Sequence, residues 1–190
     1  MHGVTATAQI SAEEFLALDP PERRSLRREL VDGEIVVNEP TRRHSGAQGC
    51  IHGSLWQWAR AAPGRGWASV PLDVQFGELS VLCPDVVWYR EGRVPELDDP
   101  PPYRVPDLVV EVRSPSTWRY DIGSKKAIYE RHGATELWLV DTAAAVVLVF
   151  RRSSPTTTVF DVSLELTSAD ALTSLLLPGF SLPVGEIFAG

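Results

Sequence analysis

One run of residues restricts the fold of this chain more than any other: Pro106 to Asp141, PDLVVEVRSPSTWRYDIGSKKAIYERHGATELWLVD. It reads as a buried strand, a polar turn, an amphipathic helix and a second buried strand. Glu111 is the one charge within Leu108-Val109-Val110-Glu111-Val112. Burying an unpaired carboxylate costs several kcal/mol or drives up its pKa. A strand of this kind therefore demands a partner for Glu111, either a cation side chain or a metal. The same anomaly occurs upstream in Pro84-Asp85-Val86-Val87-Trp88.

The rest of the chain supplies elements around this unit. Ser11-Ala12-Glu13-Glu14-Phe15 has a capping serine with a glutamate three positions on, the signature of a helix start. Asp19-Pro20-Pro21 ends that helix, and Pro21 opens an arginine-rich helical turn over 21–28. Asp32-Gly33 between two β-prone runs predicts a hairpin, with strands at 29–31 and 34–38. Residues 44–60 form the clearest long helix, with Ile51, Leu55, Trp58 and Ala59 on one stripe and Pro63-Gly64 as terminator. Strands are expected over 67–76, 81–89 and 107–113, with a proline-rich loop over 91–106. A helix from about Tyr120 to His132 ends at Gly133, and strands 136–141 and 145–151 pair as a hairpin. One or two more strands fill 156–166, and the apolar tail packs on the sheet or on a second subunit.

This order predicts a single domain over 1–190: an N-terminal helical and hairpin arm (11–38), a core (44–151), then C-terminal strands and tail (156–190). The fold class is α/β (α+β), a mixed central sheet with helices on both faces. A chain of 190 residues suffices for one sizeable core. Cys50 and Cys83 have no metal-like spacing and are expected as reduced core residues. The first residues lack a basic stretch leading into an apolar one, so no secretory signal is expected. The longest apolar run, 143–150, falls far short of the ~20 residues of a membrane span. A cytoplasmic protein without a membrane partner follows.

A net charge of −7 opposes general adhesion to nucleic acid or anionic lipid. Cations nevertheless gather locally, at Arg23, Arg24, Arg27 and Arg28, at Arg42 and Arg43, and along 101–131. A solvated helix face and a site for an anionic substrate both account for them.

Asp85 and Glu111 carry the chemistry. Two converging carboxylates share a proton or bind a cation, and with oxygen ligands alone the fitting ions are Mg²⁺ or Mn²⁺. Asp121, Lys125 and Tyr129, spaced i, i+4, i+8, share one face of the following helix. A lysine there reaches the carboxylate end of the preceding strand. An ammonium beside a metal-activated water suits attack on a phosphodiester.

The series ELVDGEI, His44, PDVVWYR, PDLVVEVRSPST, Asp121 with Lys125 and Tyr129, and ELWLVD resembles the Uma-type putative restriction endonucleases of the PD-(D/E)XK nuclease superfamily, over residues 11 to 187. The resemblance implies a restriction endonuclease-like fold, with a Mg²⁺-dependent endonuclease activity on nucleic acid, DNA being favoured. It implies metal ligation by Asp85 and Glu111, and often a homodimer. In the superfamily pattern the lysine lies two residues after the glutamate, where this chain has Arg113, a poor proton shuttle at neutral pH. The Uma-type pattern resembles one with the lysine moved to the next helix, at Lys125. Glu29 resembles the N-terminal acid that completes such sites, and His44 is an accessory candidate. Arg113 is a candidate phosphate contact, and Trp118 a surface on which a base stacks.

Structural readings stand beside these. Glu111 pairs with Arg113 or Arg119; Asp85 caps a strand end; Asp121 is the helix N-cap; Lys126 is solvated. Tyr129 is a core residue with its hydroxyl at the rim, and His44 and His52 are helix-surface or satisfied polar histidines. Two other functions compete with the nuclease: a catalytically degenerate module that only binds, and a glycosidase using Asp85 and Glu111 as acid and base. The latter needs no lysine and favours aromatic sugar platforms around a cleft.

Overall fold

The computed structural model describes residues 9–18 and 27–189. The described chain opens with α1 (Ala12–Leu18), strands β1 (Arg27–Val31) and β2 (Glu34–Asn38), and the long helix α2 (Arg42–Arg60). Short strands β3 (Trp67–Ser69), β4 (Val74–Gln75), β5 (Val81–Leu82) and β6 (Val86–Tyr89) precede β7 (Leu108–Val112). One continuous helical segment follows: α3 (Trp118–Tyr120), a π turn (Asp121–Lys125) and α4 (Lys126–Arg131). Strands β8 (Glu136–Asp141), β9 (Val146–Arg151), β10 (Val162–Leu166), β11 (Ala171–Leu172) and β12 (Leu182–Pro183) and helix α5 (Val184–Ile187) complete it.

A six-stranded sheet in the order β10-β9-β8-β7-β6-β3 forms the centre. It is mixed: β7 and β8 run parallel, with Leu108 opposite Glu136, and its other neighbours pair antiparallel. The parallel pair requires a crossover, which the helical segment 118–131 provides. Both faces of β7 and β8 are covered, which explains their near-continuous apolar sequence. Leu108, Val110 and Val112 face a core shared with Ala47, Ile51 and Leu55 of α2. Val109, Leu137 and Leu139 face the opposite core with Ile128 and Tyr129 of α4. Each large aliphatic side chain so buried contributes about 1.5–3 kcal/mol.

The hairpin does not join this sheet. It belongs to a second one, β2-β1-β5-β4, whose Val31, Val36, Val74 and Leu82 pack into the α4-side core. The expected strands 67–76 and 81–89 each break in two, β3 with β4 and β5 with β6. Pro71 and Pro84 fall at the breaks, where each removes a ladder donor. The helical turn expected over 21–28 lies outside the described residues up to 26, and Arg27 and Arg28 belong to β1 rather than to a helix. The tail folds onto its own sheet: Leu172, Leu177, Phe180, Leu182, Val184 and Ile187 are buried in the α2-side core. Its apolar character thus has an explanation within one chain.

Local signals are satisfied where the sequence placed them. Glu14 N donates to Ser11 Oγ (3.2 Å), and Ser11 N to Glu14 Oε2 (2.7 Å), closing the capping box of α1. Asp32 and Gly33 both take positive φ (47° and 82°) in the β1–β2 turn. A Cβ on Gly33 would lie 2.7 Å from that of Gln9. Gly33→Ala is therefore expected to cost about 1–2 kcal/mol, seen as a lower urea midpoint at unchanged m. An unchanged midpoint would show that the turn relaxes freely. Cys50 and Cys83 are free thiols, half-buried rather than in the core.

Candidate active site

Alternation along β7 puts Glu111 on the same face as Val109, toward α4. The β6–β7 register, Val86 opposite Val110, carries Asp85 to the position opposite Glu111. Around these two acids the fold closes a buried polar cluster. Lys125 Nζ lies 2.6 Å from Glu29 Oε2, 3.0 Å from Asp121 Oδ1 and 3.2 Å from Glu111 Oε1. Tyr129 OH donates to Glu111 Oε1. Asp85 Oδ2 accepts from Val112 N (2.8 Å) and from His44 Nε2 (3.0 Å). Glu29, His44, Asp85, Glu111, Asp121, Lys125 and Tyr129 are all at most 2% exposed.

Each residue has a local reason for its place. Glu29 sits on β1; its Oε1 accepts from Cys83 N (2.8 Å), just past β5 of the same sheet, and its Oε2 meets Lys125, so the second sheet reaches the helical segment at this point. Thr41 caps α2 by accepting from His44 N, which fixes His44 in the first turn with its ring toward Asp85. Gln48, one turn along α2, donates to Asp85 O (2.7 Å). Asp121 and Lys125 lie within the π turn. Such turns widen a helix by one residue and concentrate at functional sites.

Three carboxylates thus share one ammonium. Burial is the main cause that drives Glu111 well above the ordinary carboxylate range; Asp121, Glu29 and Asp85 add to it and Lys125 opposes it. Burial likewise pushes Asp121 up to about 6 against the pull of Lys125. For Lys125 burial works downward, but Glu111, Glu29 and Asp121 outweigh it and hold its ammonium well above the usual value. Burial, then Glu111, also raises the Tyr129 phenol. The cluster carries more negative charge than its lysine offsets, and a proton or a further cation relieves the difference.

Other buried acids are satisfied differently. Asp107 takes Arg93 at 2.9 Å and Arg90 at 3.1 Å. Glu136 accepts from Trp138 Nε1 and Ser174 Oγ. Neither joins the cluster.

The candidates named from sequence divide into two groups. Asp85, Glu111, Lys125, Glu29, Tyr129 and His44 come together. Arg113 and Trp118 stand aside: Arg113 Nη1 holds both carboxylate oxygens of Asp141 at 2.9 Å, and its guanidinium stacks over the Trp118 ring at 5.4 Å. Several structural expectations need correction. Glu111 pairs with neither Arg113 nor Arg119; its partners are Lys125 and Tyr129. Asp121 is not the N-cap, because the helical segment begins at Trp118 and the Asp121 carboxylate bonds Lys125 and Thr117 Oγ1. His44 is fully buried and hydrogen-bonded to Asp85, which fits the polar-partner alternative and not the helix-surface one, whereas His52 is half-buried. Tyr129 has its hydroxyl inside, not at a rim. Lys126 Nζ lies 4.7 Å over Phe150 rather than free in solvent. Asp85 does cap a strand end, through Val112 N, in addition to its contact with His44.

Sequence reasoning put Asp121 on one helix face with Lys125 and Tyr129 but assigned it to a cap, and it missed Gln48 as a support of the cluster. The i,i+4 spacings Asp121–Lys125 and His44–Gln48 were the available signals.

A Mg²⁺ or Mn²⁺ ion suits this donor set, which is all carboxylate oxygen and in excess of its cation. Among the described residues no three Asp, Glu, His or Cys side chains form a ready metal cage. Mg²⁺ takes one or two carboxylates and keeps its waters, so Asp85 and Glu111 are the pair that would hold such an ion.

The mixed sheet covered on both faces, with a carboxylate–lysine cluster at the ends of its middle strands, defines a restriction endonuclease-like fold. The chain belongs to the Uma2 family, described as putative restriction endonuclease, which it matches over residues 12–185. It is similar in structure to the crystal structure of a putative nuclease belonging to DUF820 from Anabaena variabilis, at a TM-score of 0.75 and 22% identity. That likeness covers 95% of this chain and 98% of the other. No curated protein sequence matches this one. Among the described residues no helix is long and apolar enough to cross a membrane.

Proposed function

We propose that this chain is a Mg²⁺-dependent endonuclease that hydrolyses phosphodiester bonds of nucleic acid, with DNA as the favoured substrate. The observation that carries the reading is the buried group of Glu29, Glu111 and Asp121 around Lys125, with Asp85 opposite Glu111. Asp85 and Glu111 would hold the metal; Mn²⁺ would substitute. When bound, the ion would acidify an attacking water and offset charge developing on the phosphoryl oxygens.

The chain's own residues set up the rest. Tyr129 and Lys125 fix the Glu111 carboxylate, and His44 and Val112 N fix that of Asp85, so both acids are oriented before substrate arrives. Lys125, held as an ammonium by Glu29, Asp121 and Glu111, would stabilise charge developing on the phosphorane through its field. Glu29 and Asp121 keep that ammonium in place. Two copies are proposed to act together so that each addresses one strand.

Purified protein with Mg²⁺ or Mn²⁺ is expected to cut DNA or RNA, and excess EDTA to stop it. Supercoiled plasmid, linear duplex and structured RNA, followed on gels, provide the check. Absence of metal binding by calorimetry, together with intact substrate in every lane, would return the chain to a binding module without activity.

A further inference from the structure

Two hollows flank the buried cluster, and they differ in charge. One, of about 370 Å³, is lined by Gln9, Val31, Asp32, Gly33, Glu34, Tyr120 and Ser124. Its acids already have partners: Arg131 approaches Asp32 at 3.5 Å, and Tyr120 OH donates to Glu34 Oε1. The other, of about 280 Å³, is lined by Thr41, Arg43, Arg113, Pro115, Thr142 and Ala143. Its charged lining side chains are both guanidinium groups.

The arginine hollow touches the cluster through adjoining residues. Arg43 precedes His44, which contacts Asp85. Arg113 follows Val112, whose N–H is bonded to the same carboxylate oxygen. Two buried polar atoms at this junction, His44 Nδ1 and Ser114 Oγ, have no hydrogen-bond partner among the described residues. Arg43 is exposed and spends Nη1 on Thr142 O at 3.3 Å. Arg113 is two-thirds buried, and Asp141 engages only its Nη1. Its Nε and Nη2 face no acceptor among the described residues, while Asp141 and the Trp118 ring hold the guanidinium in a fixed plane. Asp141 offsets one of the two positive charges, so the lining carries a net charge of one cation. That is enough to favour one phosphodiester while the chain as a whole stays acidic.

We infer that the Arg43–Arg113 hollow is a subsite for a backbone phosphate of the nucleic acid, flanking the phosphodiester that lies at the Asp85–Glu111 pair. The inference rests on the nuclease reading for its ligand and on the charge difference between the two hollows for its location. Arg113, at the position where the superfamily pattern has its lysine, then serves to position the backbone, and the charge-stabilising role stays with Lys125. The shared chemistry is a phosphodiester, and duplex DNA and duplex RNA are its two sources.

The test is fluorescence anisotropy with short labelled duplexes of each kind, in EDTA so that nothing is cut, over a series of salt concentrations. Arg43→Ala is expected to weaken Kd about tenfold at low salt and to reduce the slope of log K against log salt by about 0.9. Arg43→Glu is expected to weaken it further. Arg60→Ala, at the far end of the same helix and stacked on Trp56, is expected to leave both quantities unchanged. Arg113→Ala, checked for folding by circular dichroism, is expected to match Arg43→Ala. Whichever duplex shows the Arg43 dependence identifies the source.

Wild-type affinity and slope in Arg43→Ala, or equal losses in Arg43→Ala and Arg60→Ala, would overturn the subsite even if the wild type cuts DNA with Mg²⁺. Failure of the wild type to bind either duplex would overturn it as well. An Arg43-dependent affinity without any cleavage would leave the subsite standing and remove the nuclease.

Discussion

Lys125→Met is expected to be the most damaging single substitution, with a loss of about 3–5 kcal/mol at neutral pH, because it leaves buried carboxylates without their shared cation. Urea unfolding in EDTA measures it. The loss should shrink on acidification. Glu111 and Asp121 have folded pKa values above those of the unfolded chain, Asp121 at about 6 even with the lysine present. Between the ordinary carboxylate value of about 4 and these raised values the native state binds more protons than the unfolded one. Their contribution to stability therefore rises as pH falls through that window. Without the lysine, whose charge lowers both, the window extends upward, so Lys125→Met recovers part of its deficit between about pH 7 and 5. Lys126→Met, which removes only a cation over Phe150, is expected to change stability by less than about 1 kcal/mol. Equal losses in the two variants, or a deficit that does not vary with pH, would show that Lys125 is not the cation on which the cluster depends.

If the proposed metal role of Glu111 holds, Glu111→Gln is expected to have the largest effect on turnover, a loss on the order of 10³-fold or more, since it would remove a charged oxygen ligand and keep the shape. Stability should move little. The amide oxygen still accepts from Tyr129, and one negative charge leaves an over-acidic cluster. Glu111→Ala tests a different quantity, because it also leaves a void and an orphaned phenol. Calorimetric titration with Mg²⁺ distinguishes the roles: heat of binding in the wild type and none in Glu111→Gln is the expected pair. A Gln variant that cuts at the wild-type rate would make Glu111 a purely structural partner of Lys125.

Much of this arrangement was legible because it violates local rules. A glutamate in an apolar strand and an aspartate before another are anomalies visible without coordinates, and both acids are buried where the strands meet. The i,i+4 pair of Asp121 and Lys125 was equally visible, yet Asp121 was assigned to a cap. The helix starts earlier, at Trp118, and its π turn has no sequence signature. The second sheet was not legible either. The β1–β2 hairpin was predicted from Asp32-Gly33, but its docking onto β5 through a single pairing, Leu30 opposite Val81, depends on tertiary packing. The role of Arg113 was read as a departure from a pattern. Only its contact with Asp141, a residue that sequence treats as the end of a strand, shows what holds it.

The position of Glu29 ties completion of the cluster to docking of the hairpin. It belongs to the first described strand, on a different sheet from Glu111, yet it makes the shortest of the lysine contacts, at 2.6 Å. Ribosomal synthesis delivers Glu29 first and Lys125 much later, and the two meet only once the hairpin has docked. A nascent or partly opened chain therefore holds Glu29 apart from Lys125, while Asp121 stays one helical turn from it. On the proposed nuclease reading, a copy whose hairpin has not docked lacks the completed cluster and is expected not to cut.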